Sequence, residues 1–488
     1  MAIDTLYPQE LLKKAALDSS RPKYHFSPPA AWMNDPNGLV FFKGKYHLFH
    51  QCNPLSPNPG RMGWGHAISN DGGVHWSYEP LALIPDNGFN EETASLPDGG
   101  CFTGCPVVKD DKLYLIYTNS STGENGEVSQ IQRIAVSEDG YTFKKIPTPI
   151  IDCFPPEGSE QFRDPKVWRH GEQWYCVIGS CKDGLGNVLL YRSIDLYQWE
   201  YVGEMLRANS VEEHGWMWEC PSFFTIDDTD FLLISPMGLE EKGIICGYFI
   251  GKLDYDTGKF KADSFHNLCH SPEFYSAQVY TPEGYDTPVL IGWMQHWIVP
   301  EYPTKKCGWN GVHSLHYACG YDKDSGRLTL NPVPRIHSLR QNALHLSEGA
   351  DPLLGVNCDA FELDISVDFH EAKENAKFDL YLRCNNDGNE YTCVSYDYSS
   401  GKVKVDCSHS GQHGGNLISE GYVGSEFGVF SMQVFVDCCS IEVIVNGGEH
   451  IFSHRIFPSE DSQKMSLLYS DGAQIKTLSI YPMKSIYL

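Results

Sequence analysis

A four-strand pattern recurs five times along the first two-thirds of the chain, and this repetition limits the possible folds more than any other property of the sequence. Each copy opens with an apolar run beside a proline or a small residue, and a polar turn leads to a second apolar run. The opening positions are Pro36, Pro106, Pro165, Pro221 and Ala277, spaced by 70, 59, 56 and 56 residues. A unit repeated at such a period predicts an architecture built from equivalent supersecondary units.

The second half of each copy predicts two more strands. A third apolar run is followed by a polar turn, usually with Asp or Gly, and then by Trp76, Phe143, Trp199, Phe260 or Leu328. Turns of this kind between alternating apolar runs are hairpin signals, so each copy is expected to form four antiparallel strands. Five such units in tandem predict a five-bladed β-propeller, and a generic all-β sandwich is the simpler alternative.

The sequence changes character after Arg335, where the repeat ends. Residues 361–367 and 431–436 alternate between apolar and polar side chains, which is typical of strands with one solvated face. We therefore predict an all-β chain in which a five-bladed β-propeller is followed by a C-terminal β-sandwich. The predicted parts are an N-terminal segment that could hold a short helix at 1–23, the propeller at 24–335, a linker at 336–350 and the sandwich at 351–488.

The chain is strongly acidic, with a net charge of −26 at pH 7. Such a surface argues against nucleic acid or an anionic membrane as a partner, although solubility alone also explains it. No apolar run approaches the roughly 18 residues of a membrane span, and the first residues lack the features of a signal peptide. We expect a cytoplasmic protein if the chain is complete and an extracellular one if a signal peptide has been removed. The oligomeric state stays open.

The cysteines do not form a metal-binding pattern. Seventeen of them are scattered along the chain, often inside strand-like runs, as at Cys176, Cys246 and Cys319. The paired Cys-x-x-Cys spacing of a zinc site does not occur in the sequence. Buried free thiols are therefore the simplest interpretation.

Three of the five repeat copies begin with an acid. Asp35 and Asp164 stand immediately before their prolines, whereas Glu219 is one residue further from Pro221. Because the first strand of each propeller unit lines the central channel, the starts of the five inner strands meet at one mouth. The three acids are therefore expected to point into one site. Taken singly, Asp35 and Asp164 also fit ordinary turn sequences, and Glu219 fits a structural hydrogen-bonding role.

Paired acids at the mouth of an aromatic-rich funnel suit the hydrolysis of glycosides. That reaction needs an ionised carboxylate and a carboxylic acid on either side of the glycosidic bond. The environment must therefore separate their pKa values. Glu219 follows Trp218 in an apolar segment that favours the protonated acid, and the amides around Asp35 favour its ionised form. We expect Glu219 to be the acid/base and Asp35 the nucleophile, while Asp164, beside Arg163, stays charged and binds sugar hydroxyls.

Three segments resemble the signature blocks of glycoside hydrolase family 32, which contains the invertases, or β-fructofuranosidases, and their fructan-cleaving relatives. These segments are residues 32–38, 162–165 and 218–221, and residues 64–69 and 434–447 are also similar to family segments. The resemblance implies a five-bladed propeller with a β-sandwich. It also implies retaining hydrolysis of sucrose or a related β-fructoside through a covalent fructosyl-enzyme intermediate, without metal or another cofactor.

The resemblance also implies roles for individual residues. Asp35 would be the nucleophile, Glu219 the acid/base and Asp164 the stabiliser of the transition state. The residues implied to bind the fructosyl unit are Asn34, Gln51, Trp64, Phe102, Thr103, Arg163, Tyr275 and Trp309. Two positions depart from the family pattern, since Thr103 replaces a usual Ser and Pro59 stands about where relatives often have a Trp.

Several alternative functions share this chemistry. A fructosyltransferase, an exo-fructanase and a sucrose-6-phosphate hydrolase differ from an invertase in acceptor or substrate. For a phosphorylated substrate, the candidate hydrogen-bond donors to the phosphate are Lys305, Lys306 and Arg61, although lysine pairs are ordinarily just solvated. A non-enzymatic sugar-binding propeller is disfavoured because all three acids are present. The sandwich is expected to pack against the propeller rather than to act as a lectin.

Overall fold

The computed structural model describes residues 6–90, 99–123, 125–297, 301–347, 351–412, 417–424 and 428–487. Within these ranges the chain is folded mainly into strands, with few short helices. The α-helices are α1 (Gln9–Ala16) and α2 (Val211–His214). Single 3-10 turns or short 3-10 helices lie at Glu240–Lys242, Pro303–Cys307, Pro334–Leu339 and Asn446–Gly448.

Five antiparallel sheets follow the order of the sequence repeat. The first contains β1 (Ala31–Phe42), β2 (Lys45–Asn53), β3 (Gly63–Ser69) and β4 (Ser77–Leu83). The second contains β5 (Gly99–Lys109), β6 (Lys112–Thr122), β7 (Val128–Ser137) and β8 (Lys144–Lys145). The third contains β9 (Phe162–His170), β10 (Gln173–Lys182), β11 (Leu185–Ser193) and β12 (Glu200–Arg207).

The last two propeller sheets complete the circle. The fourth contains β13 (Met217–Ile226), β14 (Thr229–Met237), β15 (Gly247–Asp254) and β16 (Lys259–Asn267). The fifth contains β17 (Tyr275–Tyr280), β18 (Val289–Trp293), β20 (Tyr317–Asp322) and β21 (Arg327–Pro332). The short strand β19 (Trp309–Asn310) lies between β18 and β20 in sequence. It pairs in parallel with β1 and so connects the last unit to the first. The inner strands β1, β5, β9, β13 and β17 contact one another in a closed ring around a channel.

Two five-stranded antiparallel sheets form the C-terminal part. One has the order β29 (His450–Arg455), β28 (Ser440–Val445), β27 (Val429–Asp437), β22 (Phe361–Asp368) and β31 (Gln474–Pro482). The other has the order β26 (Ile418–Tyr422), β25 (Lys402–His409), β24 (Tyr391–Asp397), β23 (Lys377–Cys384) and β30 (Lys464–Tyr469). Their apolar faces pack on each other in one core cluster. The predicted propeller followed by a β-sandwich is confirmed.

Apolar side chains fill the spaces between adjacent propeller sheets. Ile116 of β6 and Ile178 of β10 belong to one fully buried cluster, and Val177 of β10 and Phe223 of β13 belong to the next. Because neighbouring side chains of a strand point to opposite faces, the middle strands contribute to both clusters. All seventeen cysteines, each of which the structure describes, are free thiols.

A buried ionic network joins the propeller to the sandwich. His25 Nδ1 lies 2.9 Å from Asp437 Oδ2, and His25 Nε2 lies 2.7 Å from Glu442 Oε2. The hydroxyl of Tyr317 on β20 donates to the other oxygen of Glu442. Burial lowers the pKa of His25, but the hydrogen bonds to the two carboxylates outweigh it and raise the pKa to about 9. The junction therefore holds a satisfied imidazolium between two acids.

Candidate active site

A cavity of about 310 Å³ opens where the five inner strands begin. Ligand sites of enzymes commonly have volumes of roughly 300–1,000 Å³. All five inner strands contribute to the wall of this cavity, which we call the catalytic cavity. Its lining residues are Asn34, Asp35, Gln51, Pro59, Gly60, Met62, Phe102, Thr103, Arg163, Asp164, Glu219, Tyr275, Ser276 and Trp297.

Each inner strand has an irregular register close to its start. The pairing with the neighbouring strand slips at residues 33–38, 101–104, 163–166, 219–222 and 275–278. A bulge of this kind bends a strand and re-aims its side chains. The repeat thus places five bulges around one mouth, and each one turns polar groups toward the channel.

Three of these bulges contain a residue in the left-handed conformation. Asp164, Cys220 and Ser276 have φ angles of 67°, 50° and 52°, and each stands directly before the opening position of its repeat. Such a backbone costs of order 1–3 kcal/mol for a residue other than glycine, and it persists where the surrounding fold holds it. We call these three residues and Asp35 the inner tier. Their side chains meet, because the Cys220 Sγ lies 3.6 Å from Asp35 Oδ2 and 3.5 Å from Asp164 Oδ2.

The residues one position earlier form an outer tier, namely Asn34, Arg163, Glu219 and Tyr275. Arg163 donates from Nε and Nη2 to Glu219 Oε1 at 2.9 and 2.8 Å. The hydroxyl of Tyr275 donates to the other oxygen of Glu219. The one-residue offset of Glu219 in the sequence therefore has a structural meaning. It places this acid on the outer tier, where it is more exposed to solvent than Asp35 and Asp164 on the inner tier.

Asp35 is held by two side chains at the centre of the inner tier. The hydroxyl of Thr103 donates to Oδ2 at 2.5 Å, and the amide of Asn34 donates to Oδ1 at 3.0 Å. Burial raises the pKa of Asp35, although these hydrogen bonds act in the opposite direction. One amide and one hydroxyl thus hold Asp35, but the loss of hydration has the larger effect on its pKa.

Asp164 differs from its expected state. Burial raises the pKa of Asp164 to about 7; the charge of Arg163 lowers it, and the nearby acids Glu219 and Asp35 raise it further. The backbone N–H of Cys220 donates to Asp164 Oδ2 at 2.8 Å. Arg163 does not by itself hold Asp164 in the charged form, because burial has the larger effect on the pKa of Asp164 and the guanidinium donates to Glu219 instead.

The surroundings of Glu219 also differ from the expected ones. The indole of Trp218 packs between two propeller sheets against Phe249, and its N–H donates to the carbonyl of His214 at 2.6 Å. The carboxylate faces Arg163 and Tyr275 instead, with 17% of its side chain exposed. Trp218 therefore packs away from the carboxylate of Glu219, because the strand directs its indole away from the channel.

Comparison with known proteins agrees with this geometry. The family model described as the glycosyl hydrolases family 32 N-terminal domain matches residues 25–332, and the model of the family 32 C-terminal domain matches residues 335–482. The chain belongs to glycosyl hydrolase family 32. The predicted family and the predicted class of enzyme, a glycosidase, are confirmed.

Two relatives and one solved structure illustrate the similarity of this family 32 enzyme to known proteins. A sucrose-6-phosphate hydrolase from Escherichia coli is 32% identical over 480 residues, which cover 93% of each chain. A raffinose invertase from Escherichia coli is 34% identical over 479 residues, also 93% of each chain. The structure of a Bombyx mori family 32 β-fructofuranosidase mutant in complex with sucrose matches with a TM-score of 0.81 at 32% identity. It covers 98% of this chain and 97% of that one.

Most of the sequence-predicted site residues of the family 32 enzyme lie in the catalytic cavity. Gln51, Phe102 and Thr103 line it together with the outer tier and with every inner-tier residue except Cys220. The side-chain amide of Gln51 donates to the carbonyl of Cys101 at 3.0 Å, which fixes its orientation. Trp64 does not line the cavity, since its buried indole N–H donates to the Phe102 carbonyl at 3.0 Å. Trp64 therefore supports the Phe102 segment from behind.

Trp309 lies outside the catalytic cavity, so the structure does not place it where the sequence-predicted contact with the sugar requires it. Its side chain is fully buried, and its indole N–H donates to Asp18 Oδ2 at 2.6 Å. The guanidinium groups of Arg21 and Arg455 lie 4.8 and 5.8 Å from the centre of its ring. The motif around Trp309 indicates β19, which pairs with β1, but it does not tell which way the indole points.

Sequence reasoning missed two polar or aromatic groups of the family 32 cavity. Ser276 lies on the inner tier, and in the part of the chain that the structure describes its hydroxyl has no hydrogen-bond partner. Trp297 is 45% exposed at the edge of the cavity, where its ring stacks on Trp32 at 5.8 Å and 23°. The repeat could have indicated Ser276, which is equivalent to Asp164, whereas no motif marks Trp297.

The described residues contain neither a metal-binding cluster nor a membrane-spanning helix. Within the described ranges, His, Cys, Asp and Glu side chains do not cluster in threes where they could hold a metal ion. The helices in those ranges are also too short or too polar to cross a membrane.

Proposed function

We propose that this family 32 glycosidase hydrolyses the terminal β-fructofuranoside bond of sucrose to glucose and fructose, with retention of configuration. The observation that carries the proposal is the arrangement of Asp35 and Glu219 on different tiers of one cavity. A nucleophile below the sugar ring and an acid nearer the mouth are what a double displacement requires.

The first step forms a covalent intermediate. Asp35 attacks the anomeric carbon of the fructosyl unit while Glu219 gives its proton to the departing glucosyl oxygen. The hydrogen bonds from Thr103 and Asn34 hold the Asp35 carboxylate in one orientation. A fixed nucleophile converts the attack into an intramolecular reaction and removes much of its entropic cost.

The second step reverses these roles. Glu219, now a carboxylate, takes a proton from the attacking water, and the bond between Asp35 and the sugar breaks. Arg163 and Tyr275 hold the two oxygens of Glu219 from one side. They keep the acid/base at the mouth, where the glucose leaves and the water enters.

Asp164 and Ser276 are proposed to bind the hydroxyls of the fructosyl unit. Asp164 has a pKa of about 7, so it can either donate or accept a hydrogen bond near neutral pH. The hydroxyl of Ser276, unpartnered among the described residues, is available to a sugar hydroxyl. As positive charge develops on the ring, ionised Asp164 stabilises it.

Sucrose is supported as the substrate by the Bombyx mori relative, whose mutant was solved with sucrose. A second candidate is sucrose 6-phosphate, which is supported by one observation. Lys305 Nζ lies 6.0 Å from the centre of the Trp32 ring, and Trp32 stacks on Trp297 at the cavity edge. A cation at this edge suits a phosphate on the leaving glucosyl unit.

Product analysis tests the substrate. The enzyme is incubated separately with sucrose, sucrose 6-phosphate, raffinose, inulin and levan, and the released sugars are quantified. We expect the highest kcat/KM for sucrose, with a decrease of less than about threefold in Lys305→Ala. If Lys305 binds a phosphate, sucrose 6-phosphate has the higher kcat/KM and Lys305→Ala lowers it by about tenfold or more.

Methanolysis tests the stereochemistry. With methanol as a competing acceptor, retention predicts methyl β-fructofuranoside as the transfer product. The α anomer would show inversion and would remove the nucleophilic role of Asp35. Retention also predicts a separation of roughly 5–5.5 Å between the carboxyl groups of Asp35 and Glu219 in a crystal structure, against roughly 6.5–9.5 Å for inversion.

A further inference from the structure

A second cavity, here called the far cavity, opens at the other end of the propeller channel. It has a volume of about 520 Å³ and is formed by the later parts of the five inner strands. The segments that line it include 39–41, 106–108, 166–170, 223–225 and 279–283. Because the catalytic cavity is built from the starts of the same strands, the two cavities are opposite mouths of one channel. The proposed reaction makes no use of the far cavity.

The far cavity contains a buried lysine. Lys166 is 6% exposed, and its Nζ lies 3.7 Å from the centre of the Tyr280 ring. Among the described residues this ammonium makes neither a hydrogen bond nor an ion pair, so the face of Tyr280 is its main contact. Burial lowers the pKa of Lys166 to about 8. A buried cation without an acid is costly, and an anion in the adjoining space would relieve that cost.

The charges around the far cavity favour an anion. Arg169 and His170 line it together with Lys166. Among the described residues of its wall, Glu283 is the single acid. Glu283 is exposed, and Arg169 lies 3.5 Å from the exposed Glu172. In a chain with a net charge of −26, a cavity whose described wall carries the two cations Lys166 and Arg169 and the one acid Glu283 is more positive than the chain as a whole.

Aromatic side chains form one wall of the far cavity. The imidazole of His170 stacks on Tyr255 at 3.7 Å and 7°, and the ring of Trp168 lies 4.6 Å from that of Phe223. The guanidinium of Arg169 lies 5.7 Å from the centre of the Trp174 ring. Rings fixed in this way offer flat apolar faces at little entropic cost. The wall therefore suits a ligand with a flat apolar body.

We propose that the far cavity binds a small organic anion, whose phosphate or carboxylate group contacts Lys166 and whose flat apolar or aromatic body lies against the Trp168, Tyr255 and Tyr280 side. The ligand class follows from one buried unpaired ammonium, an aromatic wall and a volume that admits a small molecule. This site is distinct from the sugar site, and its occupancy does not depend on which fructoside the enzyme cleaves.

Binding of four probes tests the proposal in the full-length enzyme. Phenyl phosphate, benzoate, benzyl alcohol and inorganic phosphate are titrated by calorimetry with the catalytic cavity saturated by fructose. We expect phenyl phosphate or benzoate to bind at least about tenfold more tightly than both benzyl alcohol and inorganic phosphate, because only these two combine charge and ring. The tighter of the two identifies the acid group.

Two variants locate the site. Lys166→Met keeps the length of the side chain without its charge and is expected to weaken binding of the anionic probe by about tenfold or more, while Lys166→Arg weakens it by less than about threefold. If Lys166→Met does not fold, Val108→Glu at the same cavity serves instead, because it adds a neutralising acid at a half-exposed position; Val108→Gln is its control. Equal affinities for phenyl phosphate, benzoate and benzyl alcohol, unchanged binding in Lys166→Met, or displacement of the probe by fructose overturns the proposal.

Discussion

Two groups of buried acids in this enzyme have pKa values shifted in opposite directions. At the junction of propeller and sandwich, burial raises the pKa of Asp437, but the hydrogen bond and charge of His25 prevail and lower it. In the catalytic cavity, burial prevails and the pKa values of Asp35 and Asp164 are raised. Both groups are nearly excluded from water, so burial alone does not distinguish them.

The difference lies in whether the protein itself supplies the balancing positive charge. His25 stands between Asp437 and Glu442 and neutralises the junction. In the cavity Arg163 contacts Glu219 and leaves Asp35 and Asp164 without a cationic hydrogen-bond partner among the described residues. In the proposed reaction, the positive charge that develops on the fructosyl unit supplies that partner in the transition state, where it accelerates the reaction. The junction is arranged for stability and the cavity for catalysis.

The largest expected effect is the loss of activity when an acid of the catalytic cavity is replaced. Asp35→Asn is expected to lower kcat for sucrose by roughly 10⁴-fold, and Glu219→Gln by roughly 10²–10⁴-fold, because nucleophile and acid/base are lost. Asp35→Asn should not lower the free energy of unfolding, since it removes a charge from a poorly solvated site. Glu219→Gln should lower it, because the buried guanidinium of Arg163 loses its carboxylate partner. Steady-state kinetics and urea unfolding measure both. Asp71→Asn, in an exposed turn beside His75, is the control and should keep full activity.

The junction should respond in the opposite way. Asp437→Asn leaves the buried imidazolium with one carboxylate and is expected to lower the free energy of unfolding by about 3–5 kcal/mol. Turnover per folded molecule should stay within about twofold, because the junction does not touch the substrate. Urea unfolding at pH 7 and kinetics at low temperature check the two halves. A variant that kept its stability but lost its turnover would contradict the assignment of the junction to stability and of the cavity to catalysis.

The pH dependence of stability sharpens the comparison at His25. Its pKa of about 9 in the folded state lies above the ordinary 6.5, so its stabilising contribution is complete below pH 6.5 and is lost as the pH rises through about 9. Between pH 6.5 and 9.5 the natural enzyme is expected to lose about 2–3 kcal/mol more of its unfolding free energy than His25→Gln. Parallel pH profiles of the two proteins would argue against a charged junction.

At Asp164 stability also falls as the pH rises, but the cause is a buried carboxylate that becomes charged rather than an imidazolium that loses its charge. The folded pKa of Asp164, about 7, lies above the ordinary 3.8, so the folded protein keeps a proton that the unfolded chain releases, and stability falls as the pH rises between these values. Asp164→Asn is therefore expected to be more stable than the natural enzyme at pH 8, by about 1–3 kcal/mol, and equally stable near pH 4. Thermal unfolding at both pH values tests this, and a variant that was less stable at pH 8 would show that Asp164 is a satisfied structural acid.

The smallest expected effect concerns the edge of the catalytic cavity. Trp297→Ala is expected to raise KM for sucrose by about three- to tenfold with little change in kcat, because its half-exposed ring lies at the edge of the cavity, where the proposed reaction places the glucosyl unit rather than the reacting atoms. Trp297→Phe, which keeps an aromatic face, should restore most of the affinity. A decrease in kcat with unchanged KM would place Trp297 in the chemical step instead.

The repeat made the fold and the positions of the acids predictable. Equivalent starts of five strands must meet around one channel, so Asp35, Asp164 and Glu219 could be assigned to one mouth without a structure. Their electrostatic states could not, because Arg163 precedes Asp164 in the sequence but donates to Glu219 across a blade boundary.

Side-chain direction limited the remaining predictions. Trp309 matches a family segment, yet its indole points toward Asp18 and away from the catalytic cavity. Trp297 follows β18 in a segment without a recognisable motif, and its place at the cavity edge depends on its packing against Trp32. A local pattern predicts a strand or a turn, whereas the direction of a side chain outside the repeat depends on contacts made elsewhere in the chain.

Trapping of the covalent intermediate tests the central role of Asp35 most directly. In Glu219→Gln the loss of the base slows hydrolysis of the intermediate, while β-fructosyl fluoride, whose leaving group needs no acid, still reacts. Mass spectrometry of the digested protein is then expected to find one fructosyl unit on Asp35. A fructosyl unit on Asp164, or a rapid release of fluoride with no adduct in the quenched protein, would contradict the account.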